Sequence, residues 1–369
     1  MAATVSPAET ERPASPAAAS VHGYWLFSAP LDLGAFLGSA LVAFAALAYG
    51  AWAGLLTGDT PDWAWVPAVL LIDVAHVWAT AFRVYFVPKE LLRRPLLYAG
   101  VPAIGYLLGV ALYSEGELLF WRVLAYLAVF HFVRQQYGWV MLYRARRGEM
   151  DRLGRWIDSI VIYMATIYPL IYWHAHLPRR FNWFMQLDFA PLPELAAHIA
   201  APIYWAAMAV YAGRALWAWR QGRPNPGKDI VVVTTALCWY LGIVALNSDY
   251  AFTVTNVIIH GVPYLVLVYW YAASRRPSQP TLGGKLRFLV VFLATIWLLA
   301  YAEELLWDRG IWHERSGLFG RPMDLGTART WIVPLLALPQ WTHYVLDGFI
   351  WRRKSNPDFV LIPASQSAK

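Results

Sequence analysis

The sequence predicts an all-α protein: a polytopic integral membrane bundle of about ten transmembrane helices, with both termini cytoplasmic. Three observations carry that expectation. Of 369 residues, 59% are hydrophobic and only 14% are charged, and mean hydropathy is +0.42. Apolar stretches of about 20 residues recur along the chain, long enough to cross a hydrocarbon core of about 30 Å as helix. Lys and Arg are sorted unequally between alternate connections, as membrane topology requires.

The elements follow in order. Residues 1–30 are rich in Ala, Pro, Ser, Thr and Glu, contain one basic residue, Arg12, and lack an apolar core. They read as a disordered cytoplasmic tail and not as a secretory signal. "HGYWLF" at 22–27 reads as an aromatic interfacial anchor. Hydrophobic runs then place helices at roughly 34–56, 64–87, 95–113, 118–143, 156–177, 195–219, 229–247, 250–273, 287–306 and 330–351. Breaks such as "VPKELLRRP", "RQGRPNPGK" and "SRRPSQPTLGGK" separate them. The transmembrane domain is therefore 31–353, with a short cytoplasmic tail at 354–369. The longest connections, 178–194 and 307–329, fall on one side and are too short to fold alone.

Basic residues test this count. One set of connections holds Lys89, Arg93, Arg94, Arg144, Arg146, Arg147, Arg152, Arg155, Arg220, Arg223, Lys228, Arg275, Arg276, Lys285 and Arg287, joined by Arg352, Arg353, Lys354 and Lys369 at the end of the chain. The alternate set holds Arg179, Arg180, Arg309, Arg315, Arg321 and Arg329: six against nineteen. Positive residues stay inside, so both termini are expected in the cytoplasm, in a bacterial inner membrane. The net charge of +7 thus reads as topology and lipid-headgroup contact, with no nucleic-acid partner. The single cysteine, Cys238, excludes an internal disulfide and a Cys-rich metal site. Phosphate-loop, dinucleotide and nucleophile-elbow motifs are absent, which argues against ATP- or NAD-driven chemistry.

Of nine histidines, four lie deep in predicted spans: His76 in the second, His131 in the fourth, His260 in the eighth and His343 in the tenth. All four spans run outside to inside, and each histidine sits about 15–20 Å from the outer end, near mid-membrane. Each has polar company at helical spacing. Asp73 precedes His76 by three residues, Gln135 follows His131 by four beside Arg134, Asn256 precedes His260 by four, and Gln340 and Asp347 flank His343. Ionisable groups in hydrocarbon cost about 2.5–3.5 kcal/mol each on insertion scales and so face a bundle interior. Taken singly, each of these histidines reads as a hydrogen-bonded packing residue. Equal depth and shared polar company point instead to one site, provided the four helices are neighbours.

Imidazole is the commonest metal ligand, and carboxylates suit hard or borderline ions. The expected centre has His76, His131, His260 and His343 as metal ligands, with Asp73 and Asp347 as ligands or as groups orienting them. Iron is favoured over zinc, for oxygen chemistry on a hydrophobic, lipid-like substrate; zinc would activate water for hydrolysis. Arg134 and Gln135 are the catalytic candidates, meeting an anionic or oxygen-bearing substrate group from the cytoplasmic side. Three alternatives share these residues: a b-type haem ligated by paired histidines, a transporter or proton-coupled permease, and a membrane-bound acyltransferase using His260 of "IIHGVPYLVLVYWY" as base. Arg83 is expected to snorkel from an inner helix end, and Glu303 and Glu304 to be interfacial. Oligomeric state is not legible in the sequence.

Overall fold

The computed structural model describes residues 23–276, 281–352 and Asn356. All regular structure among them is helical. The long elements are α1 (Ala29–Trp52), α2 (Asp62–Arg83), α3 (Pro95–Glu115), α4 (Glu117–Arg147), α5 (Arg152–Ala175), α6 (Glu194–Arg220), α7 (Pro226–Ala245), α8 (Asp249–Ser274), α9 (Leu282–Trp312), α10 (Arg329–Leu336) and α11 (Leu338–Ile350). Residues 1–22 of the expected N-terminal tail, and the expected C-terminal tail apart from Asn356, lie outside the described residues. The carboxylate of Asp32 accepts from the backbone N–H groups of Leu26, Phe27 and Ser28 and from the Tyr143 hydroxyl, which ties the segment ahead of α1 to α4.

Eight helices among the described residues, α1–α3 and α5–α9, are long and apolar enough to cross a membrane, which marks an integral membrane protein. The other two expected spans fall outside that set for a physical reason. The 31 residues of α4 are long enough, but Arg122, His131, Arg134, Gln135, Gln136 and Arg144 make the helix polar. The run expected at 330–351 is split at Ala337 into two helices, α10 with 8 residues and α11 with 13. Hydropathy counts these polar side chains as though lipid had to solvate them, whereas the bundle does.

The centre of the bundle is α8, whose apolar window is 83% buried, against 22% for the peripheral α3, α6 and α9. α8 packs on α2 and α4, and α11 packs on α2, α3 and α4. The four histidine-bearing helices are therefore neighbours. α2 and α8 meet at Gly261, where an added Cβ would lie 2.5 Å from Ile72 Cγ2, so only glycine permits this approach. Both helices widen into π-helix just ahead of their histidine, over Val66–Val74 and Thr253–Val257. Such an inserted residue turns side chains off the regular α-helical stripe and frequently accompanies a functional site.

Charged groups lock the basic-loop face. Asp158 of α5 is fully buried and binds Arg144 of α4, Arg214 of α6 at 2.9 Å and Lys228 of α7 at 3.1 Å. Arg83 does not snorkel. It is buried, 3.4 Å from Glu90 of the short helix Pro88–Arg93, and donates to the Ile350 carbonyl at 3.0 Å and to Asn356 at 3.1 Å. These partners hold it where water otherwise would. Burial works against ionisation of Glu90, but hydrogen bonds from Arg93 and Tyr98 and the charges of Arg83 and Arg93 outweigh it. They hold the carboxyl below its ordinary range.

Candidate metal centre

α2, α4, α8 and α11 bring His76, His131, His260 and His343 to one place, and all four side chains are buried. The rings turn their Nε2 atoms toward one another. His260 Nε2 stands 3.2 Å from His76 Nε2, and His343 Nε2 stands 3.1 Å from His131 Nε2. The two pairs are themselves adjacent, with ring centroids 4.8 Å apart for His76 and His343 and 5.2 Å for His131 and His260. Among the described residues, His76, His131 and His343 form the one group of three or more potential ligands whose donor atoms, one from each, all lie within 4.8 Å of one another.

The Nδ1 atoms of three of these rings face polar groups. His343 Nδ1 is 2.8 Å from the Thr80 hydroxyl, which in turn is 3.1 Å from the Tyr264 hydroxyl. His76 Nδ1 is 3.5 Å from Asp73 Oδ1, and His131 Nδ1 is 3.7 Å from Asp347 Oδ2. Both carboxylates thus stand behind their histidines, at the ring nitrogen turned away from the cluster. His260 is held differently. Its ring stacks on Phe132, with centroids 3.4 Å apart and planes 8° from parallel. Its backbone carbonyl accepts from Gln135 Nε2 at 2.9 Å.

The remaining candidates divide. Gln135 is buried beside the cluster. Arg134 is exposed: its guanidinium donates to the Tyr163 hydroxyl and lies 4.7 Å over the Tyr137 ring. Asn256 bonds its own helix, at the Phe252 carbonyl and the Thr255 hydroxyl. Gln340 donates to Glu303, which also accepts from the indoles of Trp78 at 2.6 Å and Trp307 at 3.1 Å. Glu303 and Glu304 are both buried, Glu303 against α2 and α11. Sequence spacing offered no sign of Thr80, Tyr264, Phe132 or Tyr344, since hydroxyls and rings are ordinary in such helices.

Two cavities flank the cluster: one is lined by His131, while the other stops at Asp73 and has no histidine in its lining. The larger, about 580 Å³, opens toward the basic connections and is lined by His131, Arg134, Gln135, Tyr264, Asp347 and Arg352 among apolar neighbours that include Phe130, Leu142 and Ile167. Its volume is in the range of small-molecule sites. The smaller, about 230 Å³, opens toward the 178–194 and 307–329 connections and is lined by Asp73, Glu304, Asp308 and Gln340 within a ring of tryptophans. Tyr344 borders both.

Comparison with protein-family models, curated proteins and solved structures finds no match to this chain.

Proposed function

We propose that the chain is an integral membrane, metal-dependent oxidoreductase that acts on a hydrophobic, lipid-like substrate. The observation that supports this best is the convergence of one donor atom each from His76, His131 and His343 within 4.8 Å, with His260 Nε2 3.2 Å from His76 Nε2. Two nitrogens bound to one ion at about 2.0–2.1 Å stand about 2.9–3.4 Å apart at octahedral or tetrahedral angles. The 3.1 and 3.2 Å separations fit that spacing. They would also fit two N–H···N hydrogen bonds. Hydrogen bonding alone, however, gives no reason for two separate pairs to be gathered around one point. Carboxylates behind metal-bound imidazoles orient the rings and raise their basicity. Asp73 and Asp347 take that role in this reading. A b-type haem would have to part the two close pairs by the width of a macrocycle, so a small ion fits better.

Imidazole-rich sites with carboxylate support suit iron as well as zinc. Iron is favoured because the larger cavity is mainly apolar and suits a chain with little for water to hydrolyse. Arg134 and Arg352 line that cavity and would hold an anionic or oxygen-bearing end, with the apolar part reaching His131. The metal supplies the redox chemistry when bound. The protein excludes water, positions the chain and holds the histidines. Metal content and the optical spectrum of purified protein test the assignment directly. Iron without an intense Soret band supports it; protein that takes up neither iron nor zinc sinks it and leaves the transporter reading of the same polar core.

Asp347→Asn keeps the shape of the group behind His131 but removes its charge. Metal affinity or activity is expected to fall about 10–100-fold while most metal is retained at saturating concentration. A titration with a competing chelator reads this, and an unchanged affinity would remove Asp347 from the site.

The ten-span arrangement with both termini cytoplasmic belongs to the same proposal. Single cysteines at 150 and 315 in a Cys238→Ser background are expected to react from opposite sides of the membrane, with 150 cytoplasmic. Reaction from the same side would break it.

A further inference from the structure

We infer that the acidic cavity beneath the 178–194 and 307–329 connections is the route by which a divalent cation reaches the histidines, an inference that rests on the metal reading above. The first support is charge. Asp73, Glu304, Asp308 and Glu314 line this cavity, with Arg315 as its one cation. Arg315 is occupied at the rim: it lies 3.3 Å from Asp62 and 2.8 Å from Glu314, and its guanidinium sits 4.1 Å over the Trp65 ring. Carboxyl groups thus outnumber the cation four to one in this lining, and a cleft with low-dielectric walls and an excess of one sign of charge concentrates the opposite ion.

The second support is a lone pair with nothing to accept. Asp308 is 3% exposed. Its Oδ1 accepts from the backbone N–H groups of Glu314 and Arg315 at 2.9 and 2.8 Å, whereas its Oδ2 is buried and has no partner. Gln340 Oε1 and Asp73 Oδ1 are in the same condition. Burying such acceptors is costly unless something fills them. All three belong to residues lining this cavity.

The third support is where the cavity ends. The Asp73 side chain is 30% accessible, and its Oδ1 is 3.5 Å from His76 Nδ1. The carboxylates of this cavity are not gathered tightly enough to form a chelating group of their own, since among the described residues only the histidine group is that close. They act as stations that a hydrated cation enters and leaves, which conduction requires. The other approaches are unsuited to a cation. The 580 Å³ cavity places Arg134 and Arg352 against a single carboxylate, Asp347, and a 300 Å³ cavity touching His343 is lined by Val77, Pro102 and Leu335 with no carboxylate. Cation and substrate thus arrive from opposite faces.

The test uses full-length protein stripped of metal by a chelator and reconstituted into zwitterionic vesicles, with orientation read from labelling of M150C in a Cys238→Ser background. Co2+ is added to one face, and the visible absorption of imidazole-bound Co2+ is followed in time. Loading is expected to be fast from the face carrying 307–329 and absent or much slower from the other. The Glu304→Gln/Asp308→Asn double variant should load about tenfold more slowly from that face. Its Co2+ occupancy at equilibrium in detergent should match the parent's. Equal loading from both faces, an unchanged rate in the double variant, or lost equilibrium binding in that variant would each overturn the route. Failure of the parent to bind Co2+ in detergent is a different result, because it removes the metal centre itself.

Discussion

His343→Ala is expected to abolish stable metal binding while the protein stays folded in detergent. The ring makes two close polar contacts, His131 at Nε2 and Thr80 at Nδ1. Removing it takes one ligand from the tightest part of the cluster, where His76, His131 and His343 converge. The loss of affinity should exceed the roughly 10–100-fold expected when a supporting partner is removed. Were His343 only a packing residue, the variant would lose about 1–3 kcal/mol of stability through its orphaned partners, and metal content would not change. Metal stoichiometry and thermal unfolding measured on the same preparation separate the two outcomes. Metal retained at parental level in His343→Ala would end the proposed centre.

Asp158→Ala should produce the largest loss of stability. Its carboxylate is fully buried and serves Arg144, Arg214 and Lys228, from three different helices. Truncation leaves three cations facing one another, with Glu149 as the nearest remaining counter-charge for Arg144 and Lys228. Removing one partner from a buried ionic network costs about 3–5 kcal/mol. Thermal or denaturant unfolding in detergent reads the loss. Asp158→Asn should recover part of it, because an amide oxygen still accepts. The penalty should persist at high salt, since buried pairs are poorly screened. A loss within about 0.5 kcal/mol would show that the remaining acids compensate and that Asp158 is not the keystone of that face.

Much of this site is legible in the sequence. Four histidines at one depth, each with a polar neighbour three or four residues away, marked α2, α4, α8 and α11, and their imidazoles do meet. The approach of Asp73 to His76 also follows from helical spacing, whereas the bond from Gln135 to the His260 carbonyl of α8 does not. Arg134 is the instructive contrast. It neighbours Gln135 in sequence, but one residue is about 100° of helix rotation, enough to carry it out of the buried cluster onto the wall of the open cavity. The burial of Glu303 and Glu304 is a second contrast. Closeness to a helix end suggests an interfacial position, but the indoles of Trp78 and Trp307 and the amide of Gln340 come from elsewhere to satisfy Glu303 inside the bundle.

By itself the sequence determined that this chain is helical and built for lipid, and which residues are too polar to face that lipid. Both follow from local physics: backbone groups in hydrocarbon must bond within their own helix, and ionisable side chains there must turn inward. Tertiary structure alone decided which inward faces meet. It put Thr80 behind His343 and Phe132 against His260, brought the four Nε2 atoms together in two pairs, and separated an acidic cavity from one lined by Arg134 and Arg352. Those outcomes depend on helix neighbours, on the close approach at Gly261 and on π-helical turns ahead of His76 and His260. Helix neighbours and the approach at Gly261 are contacts between segments far apart in the chain, and such contacts leave no periodic trace in either segment.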